Sequence, residues 1–374
     1  MKKIVLVSCF KWYEQRLKPI YEMLKENNEV TIFLSDFDHI VKKYETNRIN
    51  EISYIHVNSY RHNLSLQRGI SHYIFAKKVY KKLNEIKPDY VYALVPPNCV
   101  AYFCSKYKRE KSNSKLIFDL IDLWPESMPL QRVKNTYIYR KWKMMRDIAF
   151  LSADHIFTEC ELYRENLEKA ILPKCSTLYL FKKVKKKKKK LIAYNIENNQ
   201  ENCEKKLILG YLGSINYIID IEKIRGLLKE IKKEYKVKVL IIGDGERRHE
   251  FLRMLENINV DYKFYGKVFD EKQKISILSK CDYGINIMID SVRVGLTIKS
   301  IDYFSYGLPI INNIKGDTWS LVEKYNLGVN IDGNRILKLY KFKNEDRNRI
   351  TMFFEENFTQ KVFEQRIKKV LTDI

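Results

Sequence analysis

Short, unbroken apolar runs alternate with longer segments of helical periodicity along almost the whole chain. Lys3–Ser8 and Tyr90–Val95 are typical of these runs, because neither alternates apolar and polar residues as a half-exposed strand does. Strands that are buried on both faces and separated by helices predict a parallel sheet covered on each side. The pattern therefore predicts an α/β fold with doubly wound domains.

The alternation is interrupted once, by a lysine tract followed by a run rich in Asn and Glu. This interruption, residues 184–206, has no clear buried face and predicts an exposed basic and polar linker. It separates a Rossmann-like domain over residues 1–183 from a second Rossmann-like domain over residues 207–356. A final helix within residues 357–374 is expected to pack back toward the first domain. Two such domains facing across a cleft would place a ligand at the carboxyl ends of their strands.

The individual elements follow from the same periodicity. The predicted strands are Lys3–Ser8, Glu29–Leu34, Ser53–Val57, Tyr90–Val95, Leu116–Ile121, His155–Glu159 and Ser176–Phe181, then Leu207–Leu212, Val237–Ile242, Tyr262–Tyr265, Tyr283–Ile287 and Pro309–Asn312. The predicted helices are Tyr13–Lys25, Leu64–Ile86, Asn98–Lys108, Tyr137–Leu151, Leu162–Ala170, Ile221–Lys233, Arg247–Glu256, Lys272–Leu278, Ile298–Phe304, Thr318–Tyr325 and Thr359–Leu371.

The chain is strongly basic, with a formal net charge of +23. A tract from Lys182 to Lys190 contributes eight of its 69 Lys and Arg residues, so the chain stays basic without it. Basic proteins bind nucleic acids, anionic membranes or anionic ligands, and charge alone does not choose among these partners.

The 7 cysteines are scattered and none stands in a C-x-x-C motif, which argues against disulfides and against a structural zinc site. No apolar run approaches the roughly 20 residues of a membrane span, and the first run is too short for a signal peptide. These features predict a cytoplasmic protein that is either soluble or bound to a membrane surface.

The most informative segment runs from Val294 to Ile311. A loop with Gly295 opens a helix whose first turn carries Lys299, and Asp302 follows on the same helix face. Amides at a helix N-terminus suit a diphosphate, to which the lysine would add positive charge. The carboxylate could accept hydrogen bonds from two ribose hydroxyls. The alternative is a surface helix with an incidental Lys/Asp pair.

This segment resembles the donor site of GT-B-fold retaining glycosyltransferases of family four, which commonly reads P-x-K-x-x-E-Y-x-x-x-G-x-P. The resemblance implies that Lys299 has a catalytic role at the leaving diphosphate and that Asp302 takes the place of the ribose-binding Glu. The chain departs from the pattern in its Asp, in Thr297 at the usual Pro, and in Val294 where a longer motif has another acid. The remaining residues expected around the diphosphate are Arg293, Gly295, Leu296 and Ile298.

Three other segments extend the resemblance in the expected order. Gly213 and Ser214 lie in a strand-to-loop segment that faces the donor phosphates in the family. Gly243 belongs to a strand followed by G-x-G, where it most simply ends the strand. Lys267 and Val268 lie in the segment that contacts the nucleobase in relatives.

In the first half, the run F-D-L-I-D-L-W-P-E-S resembles a segment of bacterial polysaccharide glycosyltransferases. The resemblance implies that Asp122 orients or deprotonates the acceptor hydroxyl, or contacts the donor sugar. A turn or helix-cap role is an equal alternative. The other residues expected on the acceptor side are Phe10, Trp12, Trp124 and Glu159.

Two first-half segments, Leu64–Ile86 and Tyr137–Phe150, mix basic, aromatic and large apolar residues. Such helices can lie on an anionic membrane. The commoner meaning is a helix with one core-packed face and one solvated basic face. The location in the half that would bind a lipid-linked acceptor favours membrane contact.

The resemblance thus implies a retaining hexosyltransferase that moves a sugar from a nucleoside-diphosphate sugar to a lipid-linked or glycan acceptor. The product would belong to a bacterial surface polysaccharide or glycolipid. It also implies no metal or other cofactor and a peripheral location on the inner face of the plasma membrane. A nucleotide-sugar epimerase is one alternative, although no matching histidine set is present. A basic nucleic-acid-binding protein is the other, although it would leave the glycine loops and the Lys299/Asp302 pair without a purpose.

Overall fold

A computed structural model describes residues 1–111, 113–128, 130, 133–183, 205–332 and 339–374. Its chain divides into two compact units, one of Met1–Leu180 with Phe363–Ile374 and the other of Phe181–Val362. Residues 184–204, which include most of the predicted linker and of the lysine tract, lie outside the described residues.

The first unit is built on a parallel sheet whose order is β5-β2-β1-β6-β7-β8-β9. Its strands are β1 (Lys3–Ser8), β2 (Glu29–Ser35), β5 (Ile52–Ile55), β6 (Tyr90–Val95), β7 (Lys115–Leu120), β8 (His155–Thr158) and β9 (Cys175–Thr177), and a separate antiparallel pair is formed by β3 (Phe37–Asp38) and β4 (Lys43–Tyr44). The central strands β1, β6 and β7 are buried after their first residue, as the unbroken apolar runs predict.

The helices of this unit cover the sheet. They are α1 (Glu14–Leu24), α2 (Leu66–Ile86), α3 (Asn98–Glu110), α4 (Tyr137–Leu151) and α5 (Glu161–Glu165). Helix α3 packs against both α2 and α4, so these three helices form one layer. Its buried residues, which include Val100, Phe103 and Cys104, recur at helical spacing and join the main core.

The second unit repeats the design with a parallel sheet of order β12-β11-β10-β13-β14-β15. Its strands are β10 (Lys206–Leu212), β11 (Lys236–Ile242), β12 (Asp261–Phe264), β13 (Tyr283–Asn286), β14 (Ile310–Asn312) and β15 (Gly328–Asn330). Its helices are α6 (Ile221–Ile231), α7 (Arg248–Asn257), α8 (Glu271–Leu278), α9 (Ile298–Ser305), α10 (Asp317–Tyr325) and α11 (Asn344–Asn357). Helix α12 (Gln360–Asp373) follows, and its residues from Phe363 belong to the first unit.

Both parallel sheets confirm the predicted α/β fold with two Rossmann-like domains. Close packing between strand and helix explains one glycine of the second sheet. A Cβ on Gly284 in β13 would lie 2.7 Å from the ring of Tyr303 in α9. The Tyr303 hydroxyl accepts a hydrogen bond from Leu212 N (2.8 Å) and donates to the carbonyls of the neighbouring strands. Helix α9 is therefore fixed tightly against the sheet.

The prediction was wrong for the helix Leu162–Ala170, which ends at Glu165. Beyond that residue the backbone hydrogen bonds join residues that are three apart, as in a 3-10 turn, instead of four apart. The Asn166 side chain donates to the Leu162 carbonyl (2.7 Å). Helix α11 was not predicted, because its first turns are polar and its buried positions begin with Arg347 and Ile350. The short strands β3, β4 and β15 were too brief to give a periodic signal.

Among the described residues, no helix is long and apolar enough to cross a membrane.

Candidate functional site

The N-terminus of α9 is held in a fixed position by its flanking loop. Thr297 is the N-cap, and its hydroxyl accepts from the amide of Ser300 (3.0 Å). The Gly295 carbonyl accepts from both the amide and the hydroxyl of Thr318, each at 2.8 Å. The amides of Ile298 and Lys299 have no carbonyl partner within the helix and mark its open end. This end can receive an anion.

Asparagines end three adjacent strands and connect them to this helix. Asn286 donates to Asn312 (2.9 Å) and to the hydroxyl of Ser300 (3.0 Å), and Asn312 donates to Asn330 (2.8 Å). Asn330 in turn donates to the carbonyl of Trp319 in α10 (3.0 Å). Neutral amides therefore fix the strand ends and the start of α9. The sequence pattern did not predict this ladder, although Asn follows an apolar residue in each of the segments G-I-N, I-I-N and G-V-N.

Lys299 lies in the first turn of α9, with its Nζ 4.2 Å from the centre of the Tyr211 ring. Within the described part of the chain it has no carboxylate partner. Burial lowers its pKa to about 8. A Cβ on Gly213 would lie 3.2 Å from its Cε, so the side chain passes directly over the loop that follows β10. Lys299 is thus a cation without a counter-ion, beside an open helix end.

Glycines bring the loops after β10, β11 and β12 close together. Gly213 donates its amide to Ile242 O (2.9 Å), and Gly243 donates to Gly266 O (2.8 Å). Gly243 has a φ of +146°, and a Cβ there would lie 1.9 Å from Gly213 O. Only glycine fits such a position. The loop backbones therefore approach each other closely beneath Lys299.

The structure does not bring every predicted donor residue to this point. Ser214, Lys267 and Arg293 are exposed, and their side chains have no hydrogen bond within the described residues. Val268 and Leu296 are buried in the core. The arrangement around Lys299, Gly213, Gly243 and the α9 N-terminus is the part of the predicted donor site that the structure assembles.

Asp302 accepts a hydrogen bond from Lys182, with which it forms an ion pair. The Lys182 ammonium also lies 4.7 Å from the centre of the Tyr306 ring. The carboxylate expected at a ribose is therefore occupied in this structure. Lys182 could not be predicted as the partner of Asp302, because the two residues lie 120 positions apart in the chain.

In the first unit, Asp122 is surrounded by donors from its own loop and from α5. Its oxygens accept from Trp124 Nε1 (2.8 Å), from Ser127 Oγ and from the Tyr163 hydroxyl (3.4 Å). Burial raises its pKa. These contacts give Asp122 a structural part in the turn after β7, which was one of the two roles considered.

Glu159 directly follows β8, and its amide donates to Leu120 O (2.9 Å). Within the described residues its carboxyl group has no hydrogen-bond partner. Burial raises its pKa to about 8, although the positive charge of Arg16 opposes the shift. Glu159 is thus a carboxylic acid with a raised pKa at the carboxyl edge of the first sheet.

Phe10 and Trp124 pack together at the same edge, with their ring centres 5.9 Å apart. Both are buried. Trp12 belongs to the short 3-10 turn Lys11–Tyr13, but its side chain lies outside the described part of the structure. Among the described residues, no group of three or more His, Cys, Asp or Glu could hold a metal ion.

Part of the chain matches a known protein family, and its fold matches solved structures. Residues 206–329 match the family model described as "Glycosyl transferases group 1". The fold is similar to that of HepE from Anabaena in complex with UDP, with 12% identity, a TM-score of 0.65 and 100% of each chain covered. It is also similar to the lipopolysaccharide outer core galactosyltransferase WaaB, with 12% identity, a TM-score of 0.65 and coverage of 100% of this chain and 99% of that chain.

A third similar structure is sucrose-phosphate synthase from Thermosynechococcus elongatus, with 10% identity and a TM-score of 0.64 over 100% of this chain and 99% of that one. No curated protein sequence matches the chain significantly. The matched segment contains Asn286 and Asn312 of the asparagine ladder, the glycine loops and Lys299, and it ends one residue before Asn330. The chain therefore has the GT-B fold, and residues 206–329 of its second unit match the model of group 1 glycosyl transferases.

Proposed function

We propose that the enzyme transfers a hexose from a nucleoside-diphosphate sugar to a lipid-linked acceptor during synthesis of a bacterial surface polysaccharide or glycolipid. Lys299 carries this proposal, because it is an uncompensated cation at an open helix N-terminus above closely packed glycine loops. A diphosphate supplies the negative charge that this arrangement lacks. HepE, which has a similar fold, has been crystallised with UDP and with UDP-glucose.

In the proposed reaction, Lys299 and the first amides of α9 stabilise the negative charge that develops on the leaving diphosphate. Such pre-oriented groups typically contribute a factor of about 10²–10³ to kcat each. The reaction needs no resident metal or other cofactor in this scheme. Retention at the anomeric carbon is carried over from the resemblance of the α9 segment to family-four enzymes.

On the acceptor side, Asp122 and Glu159 have different parts. The Asp122 oxygens already accept hydrogen bonds, so this residue shapes the loop and holds Trp124. The Glu159 carboxyl has no hydrogen-bond partner among the described residues and has a pKa of about 8, so it can exchange a proton or a hydrogen bond with an acceptor hydroxyl. Phe10, Trp12 and Trp124 are proposed to flank that acceptor.

The layer formed by α2, α3 and α4 supports attachment to the inner face of the plasma membrane. Leu66 is 82% exposed and Ile138 is 79% exposed, and Tyr137 and Tyr73 also reach solvent. Lys77, Lys81 and Lys106 line one surface pocket with Tyr73, and the Lys141 ammonium lies 4.6 Å from the centre of the Tyr137 ring. Exposed apolar side chains with neighbouring cations suit an anionic leaflet. Binding to anionic but not zwitterionic vesicles, lost in Leu66→Asp/Ile138→Asp, would support this placement, and equal binding to both would refute it.

The donor site is tested by thermal unfolding with UDP, GDP, ADP or CMP in the presence of EDTA. A nucleotide at about 100 times its Kd stabilises the folded state by roughly 2.7 kcal/mol. We expect one nucleotide to raise the Tm of the wild type and to have little effect on Lys299→Met. Lys229→Met removes an exposed lysine of α6 and serves as the matched control. The absence of any nucleotide effect, together with salt-sensitive RNA binding, would overturn the proposal.

A further inference from the structure

A second uncompensated cation is buried in the first unit. Arg68 lies in the first turn of α2, is only 9% exposed, and has no carboxylate partner within the described residues. Its Nη1 donates to the carbonyl of Asn63 (2.7 Å), but its Nε has no partner in the described part of the chain. A buried cation is costly without a counter-charge, and the positive end of a helix dipole adds to that cost. No carboxylate among the described residues offsets the free-energy cost of burying this charge.

Aromatic rings surround the Arg68 guanidinium. Its Cζ lies 4.8 Å from the centre of the Trp124 ring, 5.7 Å from that of Phe10 and 5.9 Å from that of Tyr60. Such contacts attract a cation, but they do not neutralise it. The rings also separate the charge from bulk water, so an anion that reaches it would interact strongly.

Two histidines complete the cluster with further unsatisfied nitrogens. His72 follows Arg68 by one turn of α2 and is 6% exposed. Among the residues that the structure describes, neither Nε2 of His72 nor Nδ1 of His39 has a hydrogen-bond partner. The ring centres of His39 and His72 lie 4.7 and 5.2 Å from that of Phe10, so one aromatic ring contacts all three nitrogen-bearing side chains.

The neighbouring charges give this cluster a positive potential. Burial and the charge of Arg68 lower the pKa of His72 to about 3, so this histidine is neutral. The pKa of Lys42 is also lowered, by burial and then by Arg68. The nearby carboxylate of Asp38 accepts from the amides of Ile40 and Val41 (2.7 and 3.2 Å) and caps its own turn.

The cluster lies where α/β sheets bind ligands. Phe10 follows β1 and Trp124 follows β7, so both are at the carboxyl edge of the sheet. Trp124 also donates to Asp122, which places the cluster beside the proposed acceptor site.

We propose that Arg68, His72 and His39 bind a phosphate group of the acceptor, within the rings of Phe10, Tyr60 and Trp124. This inference rests on the proposed function and narrows the acceptor to a phosphorylated molecule. Nitrogen donors from three side chains match the several oxygens of a phosphate or diphosphate better than the two of a carboxylate. The aromatic walls suit the non-polar or sugar portion next to that phosphate.

The test measures ligand-induced changes in Tm with the donor site saturated by its nucleotide. The probes are geranyl diphosphate, glucose 6-phosphate and uncharged geraniol, which separate a lipid phosphate from a sugar phosphate and from an apolar group. We expect at least one phosphorylated probe to bind, and Arg68→Gln to weaken it by about ten- to a hundred-fold, because charged hydrogen bonds are lost. His72→Gln should weaken it less. Arg61→Gln, which removes an exposed arginine from the loop before α2, is the control.

Arg68→Lys keeps the charge without the planar fork, so it serves as a second variant if Arg68→Gln does not fold. Phosphate binding that is equal in wild type and in the folded Arg68 variants would overturn the inference. So would a wild type that responds to its nucleotide but to neither phosphorylated probe. The loss of nucleotide binding in the wild type would instead contradict the proposed function, so the two failures are distinguishable.

Discussion

Near the carboxyl edge of the first sheet, two buried arginines are neutralised by carboxylates, whereas the strand ends at the same edge of the second sheet are linked by neutral amides. Arg16 binds both oxygens of Asp119 (2.7 and 2.9 Å), and Arg146 binds both oxygens of Glu126 (2.8 Å each). In the second unit, Asn286, Asn312 and Asn330 perform the same connecting task without charge.

The difference shows which cations are available to a ligand. A neutralised arginine such as Arg16 holds the fold together. Lys299 and Arg68, by contrast, are buried or half-buried without a carboxylate partner in the described residues. A net charge of +23 does not distinguish these roles. The pairing of each individual charge does, and for Lys299 and Arg68 the lack of a carboxylate partner among the described residues supports the two proposed anion sites.

The largest expected effect is a loss of stability when the carboxylate partner of a buried cation is removed. Asp119→Ala would leave Arg16 buried without its partner, which typically costs about 3–5 kcal/mol of unfolding free energy. The same substitution removes the acceptor of the Tyr92 hydroxyl (2.7 Å). Urea unfolding measures this loss. As a control, Asp332→Ala breaks an exposed ion pair with Lys315 and should cost about 0–1 kcal/mol. Equal losses in the two variants would invalidate the distinction between paired and surface charges.

The next largest effect is on catalysis. Lys299→Met should lower kcat/KM by about 10²–10³-fold, because a pre-oriented cation at the leaving group is lost. The free energy of unfolding should stay unchanged or rise slightly, since no counter-ion is left unpaired. Steady-state sugar transfer and urea unfolding, each compared with Lys229→Met, measure the two effects. A Lys299→Met variant that is destabilised but fully active would indicate that Lys299 stabilises the fold and has no part in catalysis.

A smaller effect is expected in the amide ladder. Asn312→Ala removes the residue that connects Asn286 to Asn330, and one unsatisfied buried polar group typically costs about 1–3 kcal/mol. Nucleotide binding should weaken as well, because Asn286 also bonds Ser300 in α9. Unfolding and nucleotide titration check both results. Unchanged stability with unchanged binding would show that the ladder does not position the helix.

The pH dependence of nucleotide affinity tests the charge on Lys299. Its pKa is about 8, so the ammonium is mostly present below that pH and is lost as the pH rises through it. Nucleotide affinity should therefore fall above about pH 8, by up to tenfold per pH unit. Lys299→Arg should remove this fall, because arginine stays protonated. The same pH dependence in the arginine variant would assign the titration to another group.

The smallest effect concerns the Lys182–Asp302 ion pair. If the donor ribose uses Asp302, it must displace Lys182 from the carboxylate. Lys182→Ala should then increase nucleotide affinity by up to about fivefold, because partly exposed ion pairs contribute about 0–1 kcal/mol. Isothermal titration measures this gain, with Lys183→Ala as the neighbouring control. Weaker nucleotide binding in Lys182→Ala would indicate that the lysine itself contacts the donor.

Local periodicity was enough to predict both sheets, because buried parallel strands produce unbroken apolar runs such as Lys3–Ser8. It was also enough to predict helix α9 and the position of Lys299 in its first turn. The partners of the predicted residues could not be predicted. Asp302 pairs with a lysine that is distant in sequence. The residues of the Arg68 cluster come from helix α2 and from separate loops around the sheet. Such contacts depend on the topology and leave no periodic signal.

The main chain of Lys182 also makes contacts, which are separate from the ion pair of its side chain. Its amide donates to Phe358 O (2.8 Å), and the residue forms a bridge with Thr359. The two compact units are joined by chain only at Leu180–Phe181 and at Val362–Phe363, so this bridge ties the two crossover segments together close to both junctions. A nucleotide that displaces the Lys182 ammonium from the Asp302 carboxylate would leave these main-chain hydrogen bonds intact. We therefore expect the Lys182 amide to exchange its hydrogen slowly, and at the same rate with and without nucleotide, although the Lys182 side chain moves.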